Sequence, residues 1–166
     1  MVFNAAEIFE IAINIEINGQ KFYSKASEIT EDPKVSELLK SLGEMEVSHE
    51  EYFRKLKNTF AEKYESEMPD MDEQLNLYLK SYADGKVFSS SVPPEALISQ
   101  DSTVEEIFET AIDFERKTVV FFTLIREMLP ESLDRDKIDI LIKEELKHVA
   151  LLNNQLQAYK ESCGNA

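Results

Sequence analysis

The chain has 166 residues, 43% of them apolar and 31% charged, which is typical of a soluble globular protein with one domain and a sizeable core. The net charge of −15 argues against nucleic acids and anionic membranes as partners, because binding phosphate groups requires clustered Lys and Arg. The single cysteine, the lack of a leader pattern and the lack of an apolar run of about 18 residues predict a cytoplasmic protein without disulfides or membrane spans.

Four long periodic segments predict four helices, and the scarcity of Gly and Pro favours an all-α fold. The first segment covers about 4–30, with Asn4 as its N-terminal cap. The second begins at Asp32 and Pro33 and continues to about residue 65. Asp is a good cap, and Pro suits the first position of a helix because its missing N–H would be unpaired there anyway.

The third segment begins at Ser102 or Thr103, because both SxxE and TxxE fit a capping box there. It ends near Pro130, since the residue before a proline is disfavoured in a helix. The fourth segment runs from about 134 to 161 and stops near Gly164.

Short links within each pair of helices predict two antiparallel hairpins, 4–65 and 103–161. The crossover between them, 66–101, is long enough to return along a bundle and includes a short amphipathic piece, QLNLYLKSYADG. We therefore expect one domain over residues 1–166, built as a four-helix bundle with a short helix in its crossover. Nothing in the sequence assigns a role to the 85–101 loop or to Cys163.

The sequence contains an internal repeat with an offset of 99 residues. EIFEIAINIE at 7–16 and EIFETAIDFE at 106–115 share seven of ten residues. The chain therefore looks like a duplicated helix hairpin. The same offset relates two Glu-x-x-His motifs, Glu46 with His49 and Glu145 with His148.

Six polar residues fall within apolar arcs when each residue advances a helix by about 100°. Several buried carboxylates repel one another and are costly without a compensating charge, which two divalent metal ions would supply. A Glu-x-x-His motif on each of two helices and one Glu on each of the others is the ligand set of a dimetal site in a helix bundle. Such ligands suit iron, with Mn or Zn as alternatives. The six are Glu16, Glu46, His49, Glu115, Glu145 and His148, of which His148 lies nearest the edge of its arc.

The stretches IEINGQKFY, EMEVSHE, DFERKTVVFF and EELKHV resemble the ferritin-like superfamily and, within it, the rubrerythrin branch. The resemblance covers about 4–60 and 103–160 and leaves out the crossover. It implies a ferritin-like four-helix bundle that holds two iron ions. In the roles it implies, both metals are bridged by Glu46 and Glu145, one is completed by Glu16 and His49, and the other by Glu115 and His148.

The resemblance also implies a diiron-carboxylate oxidoreductase that reduces peroxide or O₂, or that oxidises Fe(II). Rubrerythrin proper carries a rubredoxin domain, for which residues 1–166 hold no cysteine set, and an extra carboxylate where this chain has Ile112. Electrons would therefore come from a separate donor. An iron-storage or ferroxidase protein and a passive metal-binding bundle without redox turnover stay open as alternatives.

Tyr23 follows Glu16 by about two helical turns and admits two interpretations. The favoured one is a core aromatic residue whose hydroxyl reaches water. The other is a hydrogen bond from the hydroxyl to a ligand carboxylate, which its repeat partner Phe122 cannot make.

The apolar arc of the first helix is wider than one bundle core should cover. Ile13 and Ile17 extend it. We therefore expect this surface to pack against a second subunit in a homodimer.

Overall fold

The computed structural model describes residues 5–64, 77–78, 96–129 and 135–164. These residues contain no strand, which confirms the prediction of an all-α fold. The four long helices are α1 (Ala5–Ile29), α2 (Pro33–Tyr64), α3 (Val104–Met128) and α4 (Arg135–Gly164).

The helices begin where side chains satisfy their first backbone N–H groups. Asp32 Oδ1 accepts hydrogen bonds from the backbone N–H groups of Lys34 at 2.8 Å and Val35 at 3.2 Å, as predicted for the cap of α2. At α3, Thr103 and Glu106 form a reciprocal capping box, so Thr103 and not Ser102 is the cap. The predicted cap Asn4 lies outside the described residues.

Helices α1 and α2 pack as an antiparallel hairpin. At one end the Lys57 ammonium pairs with the Glu10 carboxylate. At the other, Ser36 Oγ donates to the backbone oxygen of Ser27 at 2.8 Å. Contacts that pair the start of one helix with the end of the other are possible only in the antiparallel arrangement.

Helices α3 and α4 repeat this arrangement. Arg126 Nε donates to Asp139 Oδ1 at 3.0 Å near the connection, and Lys160 Nζ lies 2.5 Å from Glu105 Oε1 at the far end. Helices α1 and α3 also touch, which joins the two hairpins into the predicted bundle.

The core consists of two apolar clusters. The first includes Phe9, Phe53 and Phe122, and the second includes Leu39 and Leu152. Each of the four helices contributes to both clusters and passes from one to the other at the middle of its length. The polar residues identified from the sequence lie at those crossing points.

Only part of the predicted crossover is described. Leu77 and Tyr78 are helical, and the remainder of the predicted short helix lies outside the described residues. Ile98 is buried in the second cluster, and Lys25 Nζ donates to its carbonyl oxygen at 2.6 Å. The end of the crossover is thereby held against α1.

Two surface observations bear on partners. Ile13 is 1% exposed within the single chain, and Ile17 packs against the first cluster, so neither supplies the free apolar surface on which the homodimer prediction rests. The homodimer stays a prediction. In the described parts of the chain, no helix combines the length and the apolar character that a membrane crossing requires.

Candidate metal centre

The structure brings all six predicted polar residues together in the middle of the bundle. One carboxylate comes from each helix, and α2 and α4 each add an imidazole one turn after their carboxylate. The four carboxylates are fully buried, and each histidine is 4% exposed. His148 is therefore as buried as His49, although the sequence placed it at the edge of an apolar arc.

The ligand atoms form two overlapping groups, and within each group they lie within 4.8 Å of one another. Glu46 and Glu145 belong to both groups, which is the geometry that bridging carboxylates require. The first group is Glu16, Glu46, His49 and Glu145, and the second is Glu46, Glu115, Glu145 and His148.

The shared carboxylates span the two histidines. Glu145 Oε1 lies 2.7 Å from His49 Nδ1, and Glu145 Oε2 lies 3.0 Å from His148 Nδ1. Glu46 Oε2 and Oε1 lie farther from the same two nitrogens, at 3.8 and 3.6 Å. Both imidazoles therefore direct Nδ1 at the carboxylates, and their rings are stacked with centroids 5.8 Å apart.

Burial opposes the ionisation of two of the carboxylates. It is the largest influence on Glu16 and Glu115, and it raises the pKa of both groups well above the usual value. The charge of the neighbouring Glu46 raises both pKa values further. Without metal, these two carboxyl groups favour the protonated form.

The imidazoles, in contrast to these two carboxyl groups, favour their charged form. Burial lowers the pKa of His49, but Glu145 and Glu46 outweigh it and raise the value to about 11. In the same way the pKa of His148 is raised to about 10 by Glu115 and Glu145. Burial raises the pKa of Glu145, and the two imidazoles outweigh it and lower the value to about 2. Protonated imidazoles are therefore the counterions of the metal-free site.

Most atoms that face the centre make no aligned hydrogen bond, although Glu145 lies within ion-pair distance of both imidazoles. Buried polar atoms without a partner are rare in folded proteins and require a reason. The atoms concerned are carboxylate oxygens and imidazole nitrogens, which are suitable ligands for divalent iron, manganese and zinc. Two divalent ions would satisfy these atoms, so the residues fit a dimetal centre. The atoms are both carboxylate oxygens of Glu16, Glu46 and Glu145, Glu115 Oε2, and Nδ1 of His49 and His148.

Tyr23 completes the surroundings of Glu115. Its side chain is fully buried, so the favoured interpretation that the hydroxyl reaches water is wrong. The Tyr23 hydroxyl donates to Glu115 Oε1, on the other hairpin. A ligand carboxylate held in this way keeps its orientation before metal binds.

Sequence reasoning missed two residues behind the histidines. His49 Nε2 lies 3.0 Å from Glu144 Oε2, and His148 Nε2 lies 3.2 Å from Met45 Sδ. The repeat offset of 99 relates Met45 to Glu144, and that was the available signal.

Gly19 makes room for the shared carboxylate of Glu46. A Cβ atom at Gly19 would lie 3.2 Å from Glu46 Cγ and 3.1 Å from Phe114 Cε1, closer than ordinary contacts. A larger residue at this position of α1 would therefore displace the Glu46 side chain.

We expect Gly19→Ala to weaken metal binding, because Glu46 must shift away from the new methyl group. Overpacking costs about 1–3 kcal/mol, and the better helix propensity of Ala offsets about 1 kcal/mol of this loss. Calorimetric titration and thermal unfolding measure the two effects. Asn14→Ala, at an exposed position of α1, is the matched control. Unchanged metal affinity in Gly19→Ala would contradict the proposed crowding of Glu46.

Comparisons with known proteins agree with this geometry. The model of the rubrerythrin family matches residues 7–156. A crystal structure from Thermotoga maritima, provisionally described as a ferritin-like diiron-carboxylate protein, superposes with a TM-score of 0.68. It is 18% identical and covers 94% of this chain and 96% of its own, a level of identity that supports the ferritin-like fold. A search of curated proteins found no match.

Proposed function

The chain belongs to the rubrerythrin family, and from that premise we propose that it is a diiron-carboxylate oxidoreductase that reduces peroxide or O₂. One observation carries the proposal. The buried Glu and His side chains converge in two groups, and most of their inward-facing atoms have no hydrogen-bond partner outside these groups. The family and the donor set support iron as the metal.

The two metal positions share Glu46 and Glu145. We assign Glu16 and His49 to one position. The other position takes Glu115 and, by the same grouping, His148. In this proposal the shared carboxylates hold the two positions adjacent, and each imidazole completes the shell of one.

Two ferrous ions held by these residues would supply the redox chemistry, namely the two electrons needed to convert one H₂O₂ and two protons into two H₂O. The protein would position the metal ions, compensate their positive charge and exclude bulk water from them. The four carboxylates offset the positive charge of two divalent ions. The core clusters on either side exclude bulk water, and Tyr23 holds Glu115 in place through its hydroxyl. A separate electron donor would return the iron to the ferrous state.

The second candidate function is oxidation of Fe(II) for storage or transfer. Ile112 favours this candidate. Rubrerythrin proper carries an extra carboxylate at this position, and its replacement by a buried apolar residue counts against peroxide reduction of the rubrerythrin type. A passive metal-binding bundle is the third reading, and it predicts no redox change on addition of an oxidant.

The deciding experiment starts from metal-free protein loaded anaerobically with Fe(II). We expect about two iron ions per chain, and rapid growth of ferric absorption after one equivalent of H₂O₂. Addition of a chemical reductant with excess peroxide then separates the functions. Repeated peroxide consumption supports the oxidoreductase, whereas a single oxidation followed by release of Fe(III) supports Fe(II) oxidation.

The matched control is Glu44→Gln, which alters an exposed carboxylate of α2 near the site. It should load and react as the unaltered protein does. Retention of Zn²⁺ alone, or no change in absorption when peroxide meets the Fe(II)-loaded protein, would overturn the proposal and leave the passive bundle.

A further inference from the structure

The two halves of the metal centre differ in what lies behind each histidine. His49 Nε2 faces a carboxylate oxygen of Glu144, and His148 Nε2 faces the sulfur of Met45. Met45 and Glu144 occupy equivalent places in the internal repeat, each directly before the shared glutamate of its helix. One structural position therefore holds a carboxylate in one half and a thioether in the other.

Both contacts cross between the hairpins. Glu144 of α4 reaches His49 of α2, and Met45 of α2 reaches His148 of α4. Both residues also reach the surface, at 43% exposure for the Glu144 side chain and 39% for Met45. Glu144 and Met45 therefore contact the imidazoles on the side that faces away from the metal ligands.

The chemistry of the two contacts is unequal. When Nδ1 of a neutral imidazole binds a metal, the ring hydrogen is on Nε2. A carboxylate accepts that hydrogen in a charge-assisted bond, whereas a thioether sulfur is a weak acceptor. Glu144 therefore fixes His49 in the metal-binding tautomer and makes Nδ1 a stronger ligand. Met45 gives His148 little of either effect.

A second difference acts in the same direction. The Tyr23 hydroxyl donates to Glu115 Oε1, which draws electron density from that ligand. In the other half the repeat places Phe122 where Tyr23 stands, and both oxygens of Glu16 have no hydrogen-bond partner. Glu16 is therefore the stronger carboxylate donor of the two.

We propose that the centre binds its two metal ions with unequal affinity, tightly at Glu16 and His49 and more weakly and exchangeably at Glu115 and His148. This inference rests on the proposed function, because it concerns the same dimetal centre. Glu144 is a positioning residue that acts through His49. Partners of metal-ligating histidines change affinity by about 10- to 100-fold, which sets the expected difference between the two positions.

The test is an anaerobic titration of the metal-free chain with Co²⁺, followed by visible absorption against a competing chelator. The unaltered protein should bind in two phases that differ by about 10- to 100-fold in dissociation constant. Glu144→Met should weaken the first phase by a similar factor and leave the second unchanged. Met45→Glu should strengthen the second phase, and it keeps the proposal testable if Glu144→Met fails to fold.

The paramagnetically shifted imidazole N–H signals of the Co²⁺ protein identify which histidine is occupied first. Glu51→Met, which removes an exposed carboxylate from α2, should leave both phases intact. Equal dissociation constants for the two Co²⁺ ions in the unaltered protein, or equal weakening of both phases by Glu144→Met, would overturn the proposed difference in affinity. Either result would leave the metal centre itself in place. Failure to bind Co²⁺ at all would overturn the proposed metal centre as well.

Discussion

Glu145→Gln is expected to eliminate the proposed paired metal centre. Glu145 is the carboxylate nearest to both histidines, with its oxygens 2.7 and 3.0 Å from the two Nδ1 atoms, and it belongs to both ligand groups. An amide keeps the size of the side chain but supplies one oxygen and no charge. We expect bound iron to fall from two ions to less than one per chain, with affinity reduced at least about 100-fold.

Elemental analysis after anaerobic loading measures the iron content, and stopped-flow absorption after addition of peroxide measures the oxidation. Glu16→Gln is the informative comparison, because Glu16 belongs to only one of the two groups and its loss should affect one metal position. A Glu145→Gln protein that keeps its helical circular dichroism and still binds two irons would contradict the bridging role.

Glu16→Gln should stabilise the metal-free protein and destabilise the metal-loaded one. Without metal, burial and the charges of neighbouring carboxylates oppose ionisation of Glu16, and the substitution removes that conflict. We expect a gain of about 1 kcal/mol in unfolding free energy at neutral pH, or about 2–4 °C in Tm. With metal, the lost ligand reduces the stabilisation that binding confers, which amounts to about 2.7 kcal/mol at a hundredfold excess over Kd.

The effect on the metal-free protein should depend on pH in a defined direction. Because the pKa of Glu16 is raised by folding, its contribution to stability is complete below the ordinary value of 4.5 and is lost as pH rises toward the folded value. The gain in Glu16→Gln should therefore be absent below pH 4.5 and grow above it.

Glu145→Gln should change the stability of the metal-free protein in the opposite direction. Glu145 has a lowered pKa, about 2, because it neutralises both imidazoles, so its loss should destabilise the metal-free protein at neutral pH. Thermal unfolding of both variants at several pH values, with and without metal, measures all four effects. Equal destabilisation by both substitutions in the metal-free state would show that the buried carboxylates are not in conflict.

The local features of the fold were predictable from the sequence because they depend on near neighbours. Asp32 caps α2 through backbone groups two and three residues away, as the local pattern predicts, and Thr103 caps α3 as one of the two residues that the pattern allowed. The convergence of the polar residues was also predictable, since the repeat places the same residue types at the same position of each hairpin.

Contacts between different helices were not predictable in the same way. Periodicity reports which side of a helix is apolar, but not which residue of another helix lies opposite, because that depends on the rotation and axial shift of both helices. Tyr23 donates to Glu115 rather than to Glu16 on its own helix for this reason. Helix packing also buried Ile13 within the chain, where the width of the apolar arc alone had suggested an exposed face.

The sequence by itself determined where the four long helices lie, that Asp32 caps α2, and which carboxylates and imidazoles turn inward. Only the tertiary structure placed Glu144 behind His49 and Met45 behind His148, across the two hairpins. Each of these pairs is separated by about a hundred residues, so no local pattern links its members. The packing of α2 and α4 around a shared centre brings them within hydrogen-bonding distance, and thereby makes the two halves of a repeated sequence chemically different.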